Sequence, residues 1–110
     1  MTRFAGFGPG VVFGLGGVFT EIYKDTTLRL APLADADARE MFVEISAHKL
    51  LDEFRRMPKV KTDRLSRIIQ TVGNIALLHP EIAEIDLNPI IISGANPVVA
   101  DALIVLKSNP

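Results

Sequence analysis

Ala83-Glu84-Ile85-Asp86-Leu87-Asn88-Pro89-Ile90-Ile91-Ile92-Ser93 decides how this chain folds. From Glu84 to Asn88 polar and apolar residues alternate, the period of a half-buried strand. Glu84, Asp86 and Asn88 then share one sheet face, and Ile85 and Leu87 the other. Three oxygen-bearing side chains in a row contribute nothing to a core but suit a hard cation or a phosphate-bearing ligand. A second strand, Pro97 to Leu106, is apolar except for Asp101. If Gly94-Ala95 is a two-residue loop, Gly94 supplies the positive φ of a type II′ turn and Ser93 faces Asn96. Counting back along both strands sets Asn88 opposite Asp101. Opposed residues share a face with Cβ atoms about 4.5–5.5 Å apart, so one cation could touch both. A longer loop, forced by Pro97, would shift this register, and an odd shift would separate the two residues.

Composition excludes several classes. The chain has 110 residues, enough for one modest domain. Its formal net charge of −1 gives no reason to expect nucleic acid or an anionic membrane as partner. With no cysteine there is no disulfide, thiolate nucleophile or Cys-based zinc site. Apolar residues make up 48%, yet no run reaches the ~20 residues of a membrane span. Arg3 is not followed by a signal-peptide core and cleavage site, so the expected location is cytoplasmic.

Working toward the N-terminus, Thr62 or Asp63 caps a helix over about residues 63–79. Leu65, Ile68, Ile69, Val72, Ile75, Ala76 and Leu78 form its apolar stripe. Gly73 costs this helix stability, ~1 kcal/mol against Ala, and permits close packing. His79, before Pro80, reads as its C-cap. Asp35 or Asp37 caps an earlier helix running to about Ser46, with Ala38, Met41, Phe42 and Ile45 toward the sheet. Between them, a short helix carries Leu50, Leu51 and Phe54 and ends at Arg55-Arg56, a pair that reads as solvated. His48 reads as structural, since histidine chemistry needs a positioned partner.

Val18–Tyr23 and Thr26–Leu30, joined by Lys24-Asp25, read as a hairpin that Pro32 ends. Thr27 and Arg29 share one face, Leu28 and Leu30 the other. Glu21 and Arg29 read as a cross-strand charge pair or, more sharply, as a substrate or phosphate contact. Glycines 8, 10, 14, 16 and 17 surround a short strand, Val11–Phe13. Their spacing matches neither a dinucleotide fingerprint nor a P-loop, so a tightly packed loop competes with a phosphate cradle. The order predicts an α/β (α+β) chain: a mainly antiparallel sheet with helices on one face. One sheet edge and one face lack cover, as in a piece of something larger or a chain completed by a partner.

The motifs Phe7-Gly8-Pro9-Gly10-Val11-Val12-Phe13-Gly14-Leu15-Gly16-Gly17-Val18-Phe19-Thr20-Glu21, Arg29-Leu30-Ala31-Pro32-Leu33, Ala36-Asp37-Ala38-Arg39-Glu40-Met41, Asp86-Leu87-Asn88-Pro89 and Val99-Ala100-Asp101-Ala102 resemble the NDP-forming acyl-CoA synthetases, relatives of the succinyl-CoA synthetases. More narrowly, residues 1–110 look like a single partial domain, the C-terminal half of the ATP-grasp domain in their β subunit. The resemblance implies interconversion of acyl-CoA, ADP and phosphate with free acid, CoA and ATP, through an acyl phosphate and a phosphohistidine carried elsewhere. It assigns magnesium to Asn88 and Asp101 and places Asp86 beside the metal or the transferred phosphate. It puts Gly14, Gly16, Gly17 and Glu21 on the nucleotide side of the cleft. Without the metal, Asp101 reads as a carboxylate paired with a nearby cation, because burying it unpaired is costly. The family's preceding half-domain, with its nucleotide-holding lysine, and the CoA-binding domains are missing. The implied cofactors, Mg2+ and ATP or ADP, are therefore expected to bind weakly or not at all in isolation. The implied partner is a second copy or a subunit carrying the missing half, which would bring CoA and the acyl substrate. The competing expectation is a non-catalytic oligomerisation module.

Overall fold

A computed structural model describes residues 1–14, 26–45 and 61–108. The long C-terminal hairpin is present with the expected register. Strand β4 (Ile82–Leu87) pairs with β7 (Ala102–Leu106), and β5 (Ile90–Ser93) with β6 (Asn96–Val99), both antiparallel. Ser93 faces Asn96 across Gly94-Ala95, and Gly94 takes φ +63°, as a primed turn requires. The same count runs unbroken to Leu87 opposite Ala102 and on to Glu84 opposite Val105, before a bulge near Ile82. Each expected long strand is split in two, the first at Asn88-Pro89, where Pro89 has no N–H for the ladder, and the second at Ala100-Asp101. Backbone bonds still bridge the gap: Ala100 N–H to Pro89 O at 3.0 Å and Asn88 N–H to Asp101 O at 3.2 Å.

A second antiparallel sheet comprises β1 (Thr2–Phe4), β2 (Gly8–Gly14) and β3 (Thr26–Leu30), in that order. Met1 joins the two sheets, donating to Ile85 O at 2.6 Å while its carbonyl accepts from Ile85 N–H at 3.1 Å. Sequence reading missed β1 and extended Val11–Phe13 too little. Among the described residues β3 pairs with β2, Val11 opposite Arg29 and Phe13 opposite Thr27. The expected mate, Val18–Tyr23, lies outside the described residues, as do the turn Lys24-Asp25, His48 and the short helix at Leu50–Phe54.

Helices α1 (Asp35–Glu44) and α2 (Thr62–Leu78) cover one side. Ala38, Met41, Phe42 and Ile45 of the α1 segment are buried, as their spacing predicts, together with Leu65, Ile69, Val72 and Ala76 of α2. Ala38, Met41, Phe42, Leu65, Ile69 and Val72 meet Val11, Ile82 and Ile85 in one cluster, and Phe13 sets its ring edge-to-face on Phe42 at 5.3 Å. Gly73 allows the closest approach. A Cβ there would lie 3.0 Å from Leu33 Cδ1 and 3.3 Å from Ala31 Cβ. Leu78, the last residue of α2, departs from the expected stripe and is exposed. His79 is the C-cap, its N–H bonded to Ile75 O at 2.9 Å.

The expected side-chain N-caps do not occur. Ala34 precedes α1, and Asp37 instead reaches back to the Ala34 N–H at 2.8 Å. Lys61 precedes α2, and its N–H bonds Ala95 O at 2.8 Å, so the hairpin tip occupies the place a cap would take. Arg64 adds a bond to Asn96 Oδ1 at 2.8 Å.

Candidate functional site

The site begins with the alternation in β4. Ile85 is buried against the helices while Glu84 and Asp86 are exposed on the far face, and Asn88 continues the exposed series. β7 brings Asp101 to Asn88. The β4–β7 register runs to Leu87 opposite Ala102, and one step further Asn88 donates its backbone N–H to Asp101 O at 3.2 Å. Asp101 is exposed, and its Oδ1 accepts the Ala102 N–H at 2.9 Å, which fixes the carboxylate at the strand's entrance. The paired-carboxylate alternative finds no cation: among the described residues no ion pair to Asp101 or Asp86 occurs. Glu84 and Asp86 lie close enough to Met1 to act on its amino group, which burial pulls below its ordinary value and these two charges push back up.

The donors available, an amide oxygen and carboxylates, are those a hard cation prefers. Among the described residues no three acidic or histidine side chains gather as a metal cage. A magnesium ion held by one or two protein oxygens, with phosphates and water completing its octahedron, needs no such cage.

The rest of the expected site divides. Gly14 closes β2 opposite Thr26, half-buried. Gly16, Gly17 and Glu21 lie outside the described residues. Arg29, expected to meet Glu21 or a substrate, pairs with Glu40 at 3.3 Å and with Glu44 of α1, and Thr27 Oγ1 donates to Glu44 at 3.0 Å. The reason is topological: Arg29 faces the helices beside Val11, and its long stem carries the guanidinium past them to the acidic edge of α1.

Arg3, which sequence reading passed over, positions the site. Its guanidinium donates to Ile82 O at 2.7 Å, Ala76 O at 2.9 Å and His79 O at 3.1 Å. It thus caps the last turn of α2 and holds the start of β4 in one contact. Its position in an alternating Thr-Arg-Phe stretch was the available signal.

The ATP-grasp domain profile matches residues 1–106. The chain belongs to the ATP-grasp family. It is 45% identical over 106 residues to the β subunit of ADP-forming acetate–CoA ligase I of Pyrococcus furiosus, covering 96% of this chain and 46% of that one. Over 106 residues it is 36% identical to ADP-forming acetate–CoA ligase I of Archaeoglobus fulgidus, of which it covers 16%. Its fold superposes on acetyl-coenzyme A synthetase 1 of Ca. Korarchaeum cryptofilum, solved with coenzyme A and Mg-AMPPCP, with a TM-score of 0.90 and 43% identity over 96% of this chain and 50% of that one. The match falls in the C-terminal part of these ATP-grasp relatives, and the chain spans about half the length of the β subunit it matches. The expected resemblance to ADP-forming acyl-CoA synthetases and the expected α/β fold with antiparallel sheets are both found. No described helix is long and apolar enough to cross a membrane.

Proposed function

We propose that residues 1–110 form one partial ATP-grasp domain that supplies magnesium and phosphoryl-transfer residues to an ADP-forming acyl-CoA synthetase in the cytoplasm. The observation that carries this reading is the backbone hydrogen bond from Asn88 to Asp101, one step beyond the β4–β7 register, on a family-matched hairpin. Asn88 and Asp101 hold the metal, and Asp86, two residues before Asn88 on the exposed face, borders the transferred phosphate. Bound there, magnesium neutralises phosphate charge, the main requirement of phosphoryl transfer. Gly14, with Gly16, Gly17 and Glu21, belongs to the nucleotide side. The rigid strands hold the donors in place, while the second wall of the cleft comes from a subunit carrying the preceding half and the CoA-binding domains. Orientation needs both walls, so turnover by this chain alone is expected to be negligible.

Manganese with ADP, titrated into the chain combined with a subunit carrying the preceding half and followed by electron paramagnetic resonance, tests the assignment. Asn88→Ala and Asp101→Ala should each weaken Mn–ADP binding at least about tenfold, or ~1.4 kcal/mol. Variants that bind as the wild type does would remove both residues from the metal.

A further inference from the structure

The hairpin that carries Asn88 and Asp101 is two short sheets in series. β4 pairs with β7 and β5 with β6, and the break between the pairs falls at Asn88-Pro89 and Ala100-Asp101. Two backbone bonds cross it, Asn88 N–H to Asp101 O at 3.2 Å and Ala100 N–H to Pro89 O at 3.0 Å. Beyond the break, β5 and β6 form an arm. Its root is anchored, since Leu87 and Ile90 pack on the core cluster, whereas Ile91, Val98 and Val99 along it are exposed. Its tip is tied again at the start of α2. Ala95 O accepts the Lys61 N–H at 2.8 Å, and Arg64 donates to Asn96 Oδ1 at 2.8 Å. Arg64 sits in the first turn of α2, where a cation opposes the helix dipole. Its charge does not serve its own helix end; its described side-chain bond goes to the arm.

Resting on the metal assignment made above, we propose that Arg64 and Asn96 are positioning residues for the Asn88–Asp101 pair. They latch the arm at its far end and so set the angle at which its root presents the two side chains. The two are held differently. The Asp101 carboxylate is tied to the β7 side of the break by the Ala102 N–H at 2.9 Å. Among the described residues the Asn88 side chain makes no hydrogen bond, so its amide follows the backbone at the root of the arm. The spacing between the two oxygens therefore depends on the arm's tilt. Five steps separate Ser93 from Asn88, a lever of about 16 Å at about 3.3 Å per residue. A tip that drifts by about 3–6 Å turns the root by roughly 10–20°, the limit within which a binding constellation keeps its geometry. One hydrogen bond at the tip is enough to decide between those states, because the exposed middle of the arm adds little to hold it.

Two measurements test the latch on Arg64→Ala, Asn96→Ala, the double variant and Asn96→Asp. One is amide hydrogen exchange of the full chain. The other is Mn–ADP binding by the chain combined with a subunit carrying the preceding half, followed by electron paramagnetic resonance. Arg64→Ala and Asn96→Ala should each speed exchange at Asn88 and Ala100, whose N–H groups cross the break, by about three- to tenfold, the range for one lost hydrogen bond. Leu65 and Ile69 should exchange as before. Mn–ADP binding should weaken by a similar factor. The double variant should match either single one, since the same bond is lost once. Asn96→Asp still accepts from Arg64 and should behave as the wild type. Faster exchange confined to the tip overturns the proposal. So does unchanged Mn–ADP binding in Arg64→Ala and Asn96→Ala when Asp101→Ala weakens it. If Asn88→Ala and Asp101→Ala bind Mn–ADP as the wild type does, the metal assignment fails, and exchange at Asn88 and Ala100 still decides whether the latch holds the pair.

Discussion

The two sides of this molecule are built to different standards. On the helix side, Met41, Ala38 and Leu65 are sealed and Ser66, fully buried, has both its hydrogen-bonding roles filled. On the other side, Val12, Leu28 and Leu30 stand exposed, as do the acidic residues of β4 and every residue of β7. Residue types do not explain the contrast, since both sides are aliphatic. The helices finish one side within the chain. The other has Asn88 and Asp101, proposed to hold the metal, at its edge and apolar strands that nothing among the described residues covers. A sheet of this kind is one wall of a cleft.

The contrast breaks most directly by truncation. Met41→Ala opens a sealed site and should cost about 2–5 kcal/mol, whereas Ile104→Ala, already in water, should change stability by under about 0.5 kcal/mol. Urea unfolding of both variants measures the gap. Comparable losses would mean that β7 is packed as tightly as the core.

Much of this was legible because it is local. The period of two in β4 and of 3.6 in the helices reports which side is buried, and a Gly in a two-residue turn fixes register down the whole hairpin, so Asn88 and Asp101 could be paired by counting. Gly73 and His79 were readable for the same reason. What escaped depends on contacts distant in sequence. The hairpin tip meets the start of α2, β2 pairs with β3, and Glu40 and Glu44 bond Arg29. Arg3 bonds carbonyls more than seventy residues away, and no window along the chain contains both ends of that contact.

Arg3 sharpens the comparison from the side of the site. Three carbonyls share one planar fork, a geometry that lysine's single ammonium cannot reproduce. Arg3→Lys should cost about 1.5–3 kcal/mol, the range for hydrogen bonds to a charged group, and should loosen β4 where it leaves α2. Faster amide exchange at Ile82 and Ile85, with little change at Leu65 or Ile69, is the expected signature. Uniform acceleration would make Arg3 a global support rather than a brace for this edge.

The smallest effect lies between the helices and depends on pH. Arg39 donates to Asp35 at 2.8 Å and also bonds Asp63, while Ser66 donates to Asp35 at 2.6 Å. These bonds, Arg39's foremost, hold the Asp35 carboxyl below its ordinary value. A carboxylate whose value is lowered by folding contributes stability above its unfolded value, about 3.9, and loses it as pH falls through the folded one. Stability should therefore fall below about pH 4. Asp35→Asn should flatten part of that limb and leave the part due to Glu81, whose value is lowered first by its own backbone N–H and then by His79. Asp35 is exposed to solvent, so the change is modest and salt should diminish it further. Melting curves from pH 6 down to pH 3 decide the matter. An unaltered acid limb in Asp35→Asn would mean that the helix pair is held by its buried side chains alone, and the finished side of the molecule would owe nothing to its polar seam.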